Sequence, residues 1–157
     1  MSEIERIRDE VIAPVVDLLG GGQAARELLF WTGWVESKYA TREQLGGGPA
    51  LGYWQMEPDT HYDIWNNYLA FRPGMAQVLV KLLPAEALDG VHALEFDDRY
   101  ACALARVHYK RVREALPEAG NLVGMAAYWK TYYNTSLGAG TVPHFQDHCA
   151  QCPVSPC

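Results

Sequence analysis

Apolar residues open this chain at helical spacing: Ile4, Ile7, Val11, Val15 and Leu18 recur until "GGG" at 20–22 stops the run. The same alternation of periodic apolar segment and Gly or Pro breaker continues along the chain. A stripe of this kind is buried by packing helix on helix. Pro14 lies inside the first segment and predicts a kink or break there, because it lacks an N–H and crowds the carbonyl four residues back. A second helix is expected from about Gln23 to Glu36, burying Leu28, Leu29, Trp31 and Val35. "EPDTHYDIWNNYL" restarts a helix with Asp59 or Thr60 as its N-cap after Pro58. Met75, Val78, Leu79 and Leu82 mark another, stopped by Pro84. Asp97 or Asp98 caps a long helix carrying Tyr100, Leu104, Val107 and Val112, which ends before Pro117, and Asn121 caps the last, "LVGMAAYWKTYYN".

Two stretches break the pattern. "TREQLGGGPALGYW" holds four Gly and one Pro with no 3.6 period, so it reads as turns with room for a short hairpin. Its "GGGPALG" is no phosphate-cradling loop, since it lacks the Lys-Ser/Thr pair and follows no strand. After Asn134 the chain is rich in Gly, Pro and Cys, and irregular structure is expected. The fold class is mainly α with an α+β flavour. A single helical domain over residues 1–140 carries a small Gly-rich lobe beside a cleft, and 141–157 forms an irregular Cys/His-rich tail. At 157 residues and 49% hydrophobic the chain suits one core, with no internal repeat.

The net charge of −6 argues against a nucleic-acid binder, which needs a basic stripe, and against adsorption to anionic membranes. "MSEIERIRDE" has no apolar core of a secretory signal, and no apolar run nears the roughly 20 residues of a membrane helix. Cys102 falls in an apolar pattern and reads as a buried thiol, whereas Cys149, Cys152 and Cys157 crowd the tail beside His144 and His148. Cys-x2-Cys suits zinc, but a second pair is missing unless the histidines supply it, so a metal site is only a weak candidate and no cofactor is expected.

One carboxylate is out of place. "LLFWTGWVES" is mostly apolar, and its one ionisable group is Glu36, at the C-terminal end of its helix. Partial burial and the negative end of the helix dipole both disfavour the charged form, so both raise the pKa, as a general acid at neutral pH requires. The plain alternative is a surface Glu at a helix end. Trp31 and Trp34 are the expected walls that keep it partly dry.

Two further strings bear on that choice. Sixteen residues beyond Glu36 begins "GYWQMEPDTH", and near the C-terminus stands "AAYWKTYYNTSLGAG". Glu36-Ser37, then Gly52, Gln55, Pro58 and Thr60, then Tyr133-Asn134 together resemble, in order and rough spacing, the motifs of the lytic transglycosylases and goose-type lysozymes. Those are a Glu-Ser, a Gly-Leu-Met-Gln stretch before a Pro-x-Thr helix start, and Ala-Tyr-Asn-Ala-Gly. This chain departs from them at Tyr53-Trp54 for Leu-Met, at Glu57, and at "NTSLGAG".

The resemblance implies a lysozyme-like fold and cleavage of the β-1,4 bond between N-acetylmuramic acid and N-acetylglucosamine. Glu36 would be general acid and then base, taking the muramoyl 6-hydroxyl proton in a transglycosylase. Ser37, Gln55, Tyr133 and Asn134 would orient sugar and acid, and Trp54 would stack on a sugar face, with Trp65 more readily a core ring. A hydrolytic lysozyme would need a second carboxylate, for which Glu43 and Glu57 stand first and Asp59 and Asp63 behind. The partner implied is a peptidoglycan strand. The lack of a signal points to a phage-encoded enzyme, carried in the virion beside other virion proteins or released from the host cytoplasm. A lysozyme-like virion or glycan-binding protein without turnover is the other class.

Overall fold

The computed structural model describes residues 1–85, 90–134 and 138–157. Among the described residues helix takes 65% and strand 2%, so the class is mainly α.

The N-terminal run begins with α1 (Glu3–Arg6), whose capping box pairs the Ser2 hydroxyl with the Glu5 N–H at 3.2 Å and the Glu5 carboxylate with the Ser2 N–H at 2.7 Å. It passes through a π-helical segment, Ile7–Ile12, into α2 (Ala13–Leu19). The expected break at Pro14 is absent. The wider π turn, closed by Ala13 N–H on the Arg8 carbonyl, lies directly before the proline ring that an α turn would crowd. The stripe's Ile7, Val11 and Val15 are buried as expected, but it ends on the buried Leu19, four residues after Val15, and Leu18 is 58% exposed. Gly20, at φ 83, donates to the Val16 carbonyl and ends the helix.

The second helix, α3 (Gly22–Ser37), buries Leu28, Leu29 and Val35 as expected, while Trp31 is only half-buried. It ends because Lys38 and Tyr39 both enter the left-handed region, at φ 53 and 51. The Ser37 hydroxyl donates to the Gly33 carbonyl at 3.0 Å and accepts from the Tyr39 N–H at 3.1 Å.

The Gly-rich lobe, residues 38–57, contains no extended hairpin. It is tied by two isolated bridges, Glu43 to Leu51 and Leu51 to Met56. Gly52 needs to be glycine: at φ 75 its Cβ would fall 1.9 Å from the Leu94 carbonyl oxygen. Asp98 pins the lobe to the helices, accepting from Arg6 at 2.6 Å and from Arg42 at 3.0 Å.

Next comes α4 (Pro58–Asn67), capped by Glu57 without a side-chain bond; Asp59, expected as its cap, lies instead in the first turn. After a 3-10 turn come α5 (Pro73–Leu82), α6 (Gly90–Phe96), which the sequence reading missed, and α7 (Asp98–Lys110). Asp97 caps α7 by accepting from Tyr100 N–H at 2.8 Å. Buried from Tyr100 to Val107, α7 is the central strut, packed on α2, α3, α4, α5 and α6. Asn121 caps α8 (Leu122–Trp129), which runs into a π segment, Lys130–Asn134.

The expected irregular tail is corrected. Thr141 caps a regular helix, α9 (Val142–Ala150), packed on α3 and α8 with Phe145 and Cys149 in the core. Pro143 occupies its first turn, where proline starts a helix as readily as it breaks one.

Candidate active site

The end of α3, the lobe, the Lys130–Asn134 segment and α9 enclose a cleft of about 1020 Å³. Glu36 lines it, half-buried. Desolvation lifts its carboxyl from 4.5 to about 7, against the opposing pull of one hydrogen bond. That bond comes from the indole of Trp129, whose Nε1 donates to Glu36 Oε1 at 3.0 Å. The wall beside Glu36 is therefore Trp129. Trp34, expected there, is buried with its Nε1 on the His148 carbonyl at 2.6 Å, and Trp31 packs edge-on against Phe30.

The family-like residues converge on this cleft with different roles from those expected. Ser37 lines it, but both functions of its hydroxyl are engaged in shaping the α3 exit. Gln55, at φ 49, closes a tight turn: its N–H and its Nε2 both donate to the Gly52 carbonyl, at 3.0 and 2.8 Å. That leaves Oε1 as an acceptor on a residue that lines the cleft. Tyr133 donates to the Trp54 carbonyl instead of bonding Glu36, and stacks on Tyr109 at 5.3 Å. Burial first, and then the Glu36 charge, push its phenol well above the usual range, so it stays protonated. Asn134 Oδ1 accepts from Lys130 at 2.8 Å, and the same ammonium reaches the Gly138 carbonyl at 3.0 Å.

Trp54 does not offer a sugar-stacking face. It is 1% exposed, with its N–H on the Leu29 carbonyl at 2.9 Å. Trp65 bonds the Tyr100 hydroxyl at 2.9 Å, a packing role. Of the second-carboxylate candidates, Glu57 lines the Glu36 cleft, together with Thr60. Glu43 is exposed and lines an adjoining hollow of about 500 Å³. Asp59 is exposed, and Asp63 is held by Arg111 at 2.6 Å.

His108, a residue the motif reading missed, also lines the cleft, edge-on to Tyr133. Burial, then Arg111, lower it from 6.5 to about 4. Its Nδ1 sits 2.8 Å from Arg111 Nη2, a pure donor, so the neutral ring carries its proton on Nε2.

The weak tail candidates for zinc do not gather. Cys149 is buried, Cys152 half-buried and Cys157 exposed, while His144 and His148 stack on each other in the cleft wall. Among the described residues no three His, Cys, Asp or Glu side chains could hold a metal ion. Trp129 was within reach of sequence reasoning, for it lies one turn before Tyr133 and so shares its helix face.

No family model, curated protein sequence or solved structure matches this chain.

Proposed function

We propose that this chain is a peptidoglycan-cleaving glycosidase of lysozyme-like fold, acting as a lytic transglycosylase. The observation that carries the reading is Glu36: a carboxyl lifted to about 7, opening on a cleft large enough for several sugars, with an indole N–H as its hydrogen-bond partner. Titrating at about 7, it keeps a large protonated fraction at neutral pH, and in that form donates to the glycosidic oxygen as the bond to the muramoyl carbon breaks. The resulting carboxylate then takes the 6-hydroxyl proton as that oxygen closes on the same carbon, giving a 1,6-anhydro end. The Trp129 N–H steadies the carboxylate between the two steps. Gln55 Oε1 and the Asn134 amide are neutral groups suited to acetamido and hydroxyl partners. The motif order Glu36-Ser37, Gly52 to Thr60, Tyr133-Asn134 supports the same assignment.

Hydrolysis is the second reading, because Glu57 lines the same cleft and could activate water. Among the described residues no helix is long and apolar enough to cross a membrane. A phage enzyme, carried in the virion or released from the host cytoplasm, is the setting we propose.

Digestion of purified peptidoglycan with the wild type and Glu36→Gln, followed by mass spectrometry, tests these readings. Anhydro-muropeptides mark transglycosylation and reducing ends mark hydrolysis. No release by the wild type sinks the enzyme reading in favour of a glycan-binding protein, and equal release by Glu36→Gln removes Glu36 from the mechanism.

A further inference from the structure

The cleft has a second pole. Where the exit of α3 meets α9, Lys38, His144 and His148 line the cavity that Glu36 lines. The two histidines sit one turn apart on α9, their ring centroids 4.1 Å apart. Trp34 anchors both sides of the cluster. Its Nε1 holds the His148 carbonyl at 2.6 Å, and the Lys38 ammonium lies 5.3 Å from its ring centre.

The positive φ of Lys38 turns this exposed side chain out of the helix line. Among the described residues it enters no ion pair. His148 Nδ1 is buried with no hydrogen-bond partner among those residues. A buried nitrogen without an acceptor is best left unprotonated, which puts the ring proton on Nε2, at the opposite edge. Burial, then His144 and Lys38, hold His148 below the ordinary imidazole range, and Asp147 is the acid that opposes them. Lys38 thus brings a positive charge, and His148 an Nε2–H donor, to one end of the cleft that His144 also lines, and an anion is a partner that suits both.

We infer that Lys38, His144 and His148 form an anion subsite that takes a carboxylate of the wall polymer. That carboxylate is either the lactyl group of a peptide-free muramoyl unit or an acid of the stem peptide. The inference rests on the glycan-cleaving reading above and assigns the side groups that reading leaves open. Lys38 and Glu36 line the same cavity, so the subsite belongs to the cleft that would hold the bond to be cleaved.

Calorimetric binding to the Glu36→Gln protein, in which turnover is expected to be lost, tests it with three ligands. These are chitotetraose, a peptide-free tetrasaccharide of alternating N-acetylglucosamine and N-acetylmuramic acid, and the same tetrasaccharide bearing stem peptides. Lys38→Gln and His144→Gln, both at exposed positions, are then added singly. Each is expected to weaken a carboxylate-bearing ligand about fivefold while leaving chitotetraose within about twofold. Which tetrasaccharide shows the loss identifies the source of the carboxylate. Binding of chitotetraose with no preference for acidic ligands, or an equal loss on all three, overturns the subsite and leaves the glycan reading standing. Failure to bind any of the three overturns the glycan reading and the subsite with it.

Discussion

Glu36 destabilises the fold at neutral pH and above. Its carboxyl titrates at about 7 in the fold and near 4.5 in the unfolded chain. Below pH 4.5 both states hold the proton and no penalty arises. Between 4.5 and 7 the unfolded chain gives up its proton and the folded one keeps it, so stability falls as pH rises. Above 7 the whole penalty is present. Glu36→Gln keeps the acceptor for Trp129 and removes the charge. It is expected to stabilise the protein by about 1–3 kcal/mol at pH 8 and to change little at pH 4. Thermal unfolding at both values decides, and equal shifts would mean that Glu36 is not desolvated. Trp129→Phe deletes the one group that lowers this pKa. The alkaline fall of kcat/KM, which should lie near pH 7 in the wild type, is then expected to move to higher pH. A profile that stays in place, measured on purified peptidoglycan, would separate Trp129 from the acid. The sequence showed a carboxylate at the edge of an apolar helix and so its sign of shift. Trp31 and Trp34 are the neighbours the sequence suggests; Trp129, hinted at only by its place one turn before Tyr133, reaches Glu36 through the packing of α8 on α3.

At the scale of elements, breakers were read well where their local chemistry decides alone. Asp97 and Asn121 cap the helices they were expected to cap, and the glycines at 20–22 end α2. The break expected at Pro14 and the irregular structure expected of the Pro-containing tail failed for one reason: a proline's effect depends on the turn it occupies. Pro14 follows a π turn, and Pro143 sits in the first turn of α9. The short α6 lies close behind residues 86–89, outside the described chain, and its seven residues give too little period to read. α9 is the correction with most consequence, since it forms one wall of the cleft. Phe145 is fully buried against Trp129, with ring centroids 5.1 Å apart. Phe145→Ala is therefore expected to destabilise by about 3–5 kcal/mol in urea unfolding. A loose tail would make the same change nearly silent.

Across the whole molecule, the cleft depends on a lobe with almost no regular pairing of its own. Two bridges and the Gly52–Gln55 turn cannot hold residues 38–57 against their entropy. The lobe is held from outside. Trp54 and Met56 insert into the helical core, and Tyr133 bonds the Trp54 carbonyl. Arg42 ties the outer side, with its guanidinium 4.2 Å from the Tyr53 ring centre, 3.0 Å from Asp98 and 3.7 Å from Glu3. Asp98 is 11% exposed but keeps Arg6 if Arg42 is lost, so no buried charge is orphaned. Arg42→Ala should then cost only about 1 kcal/mol in global stability. Its effect should be concentrated in the lobe, because the ion pairs it removes join lobe to body and the Tyr53 contact lies within the lobe. Amide exchange over 41–56 is expected to quicken by about tenfold while α7 amides change little, as for a local opening below the global one. Uniform acceleration across lobe and α7 would instead make the two a single cooperative unit, and the cleft as rigid as the helices around it.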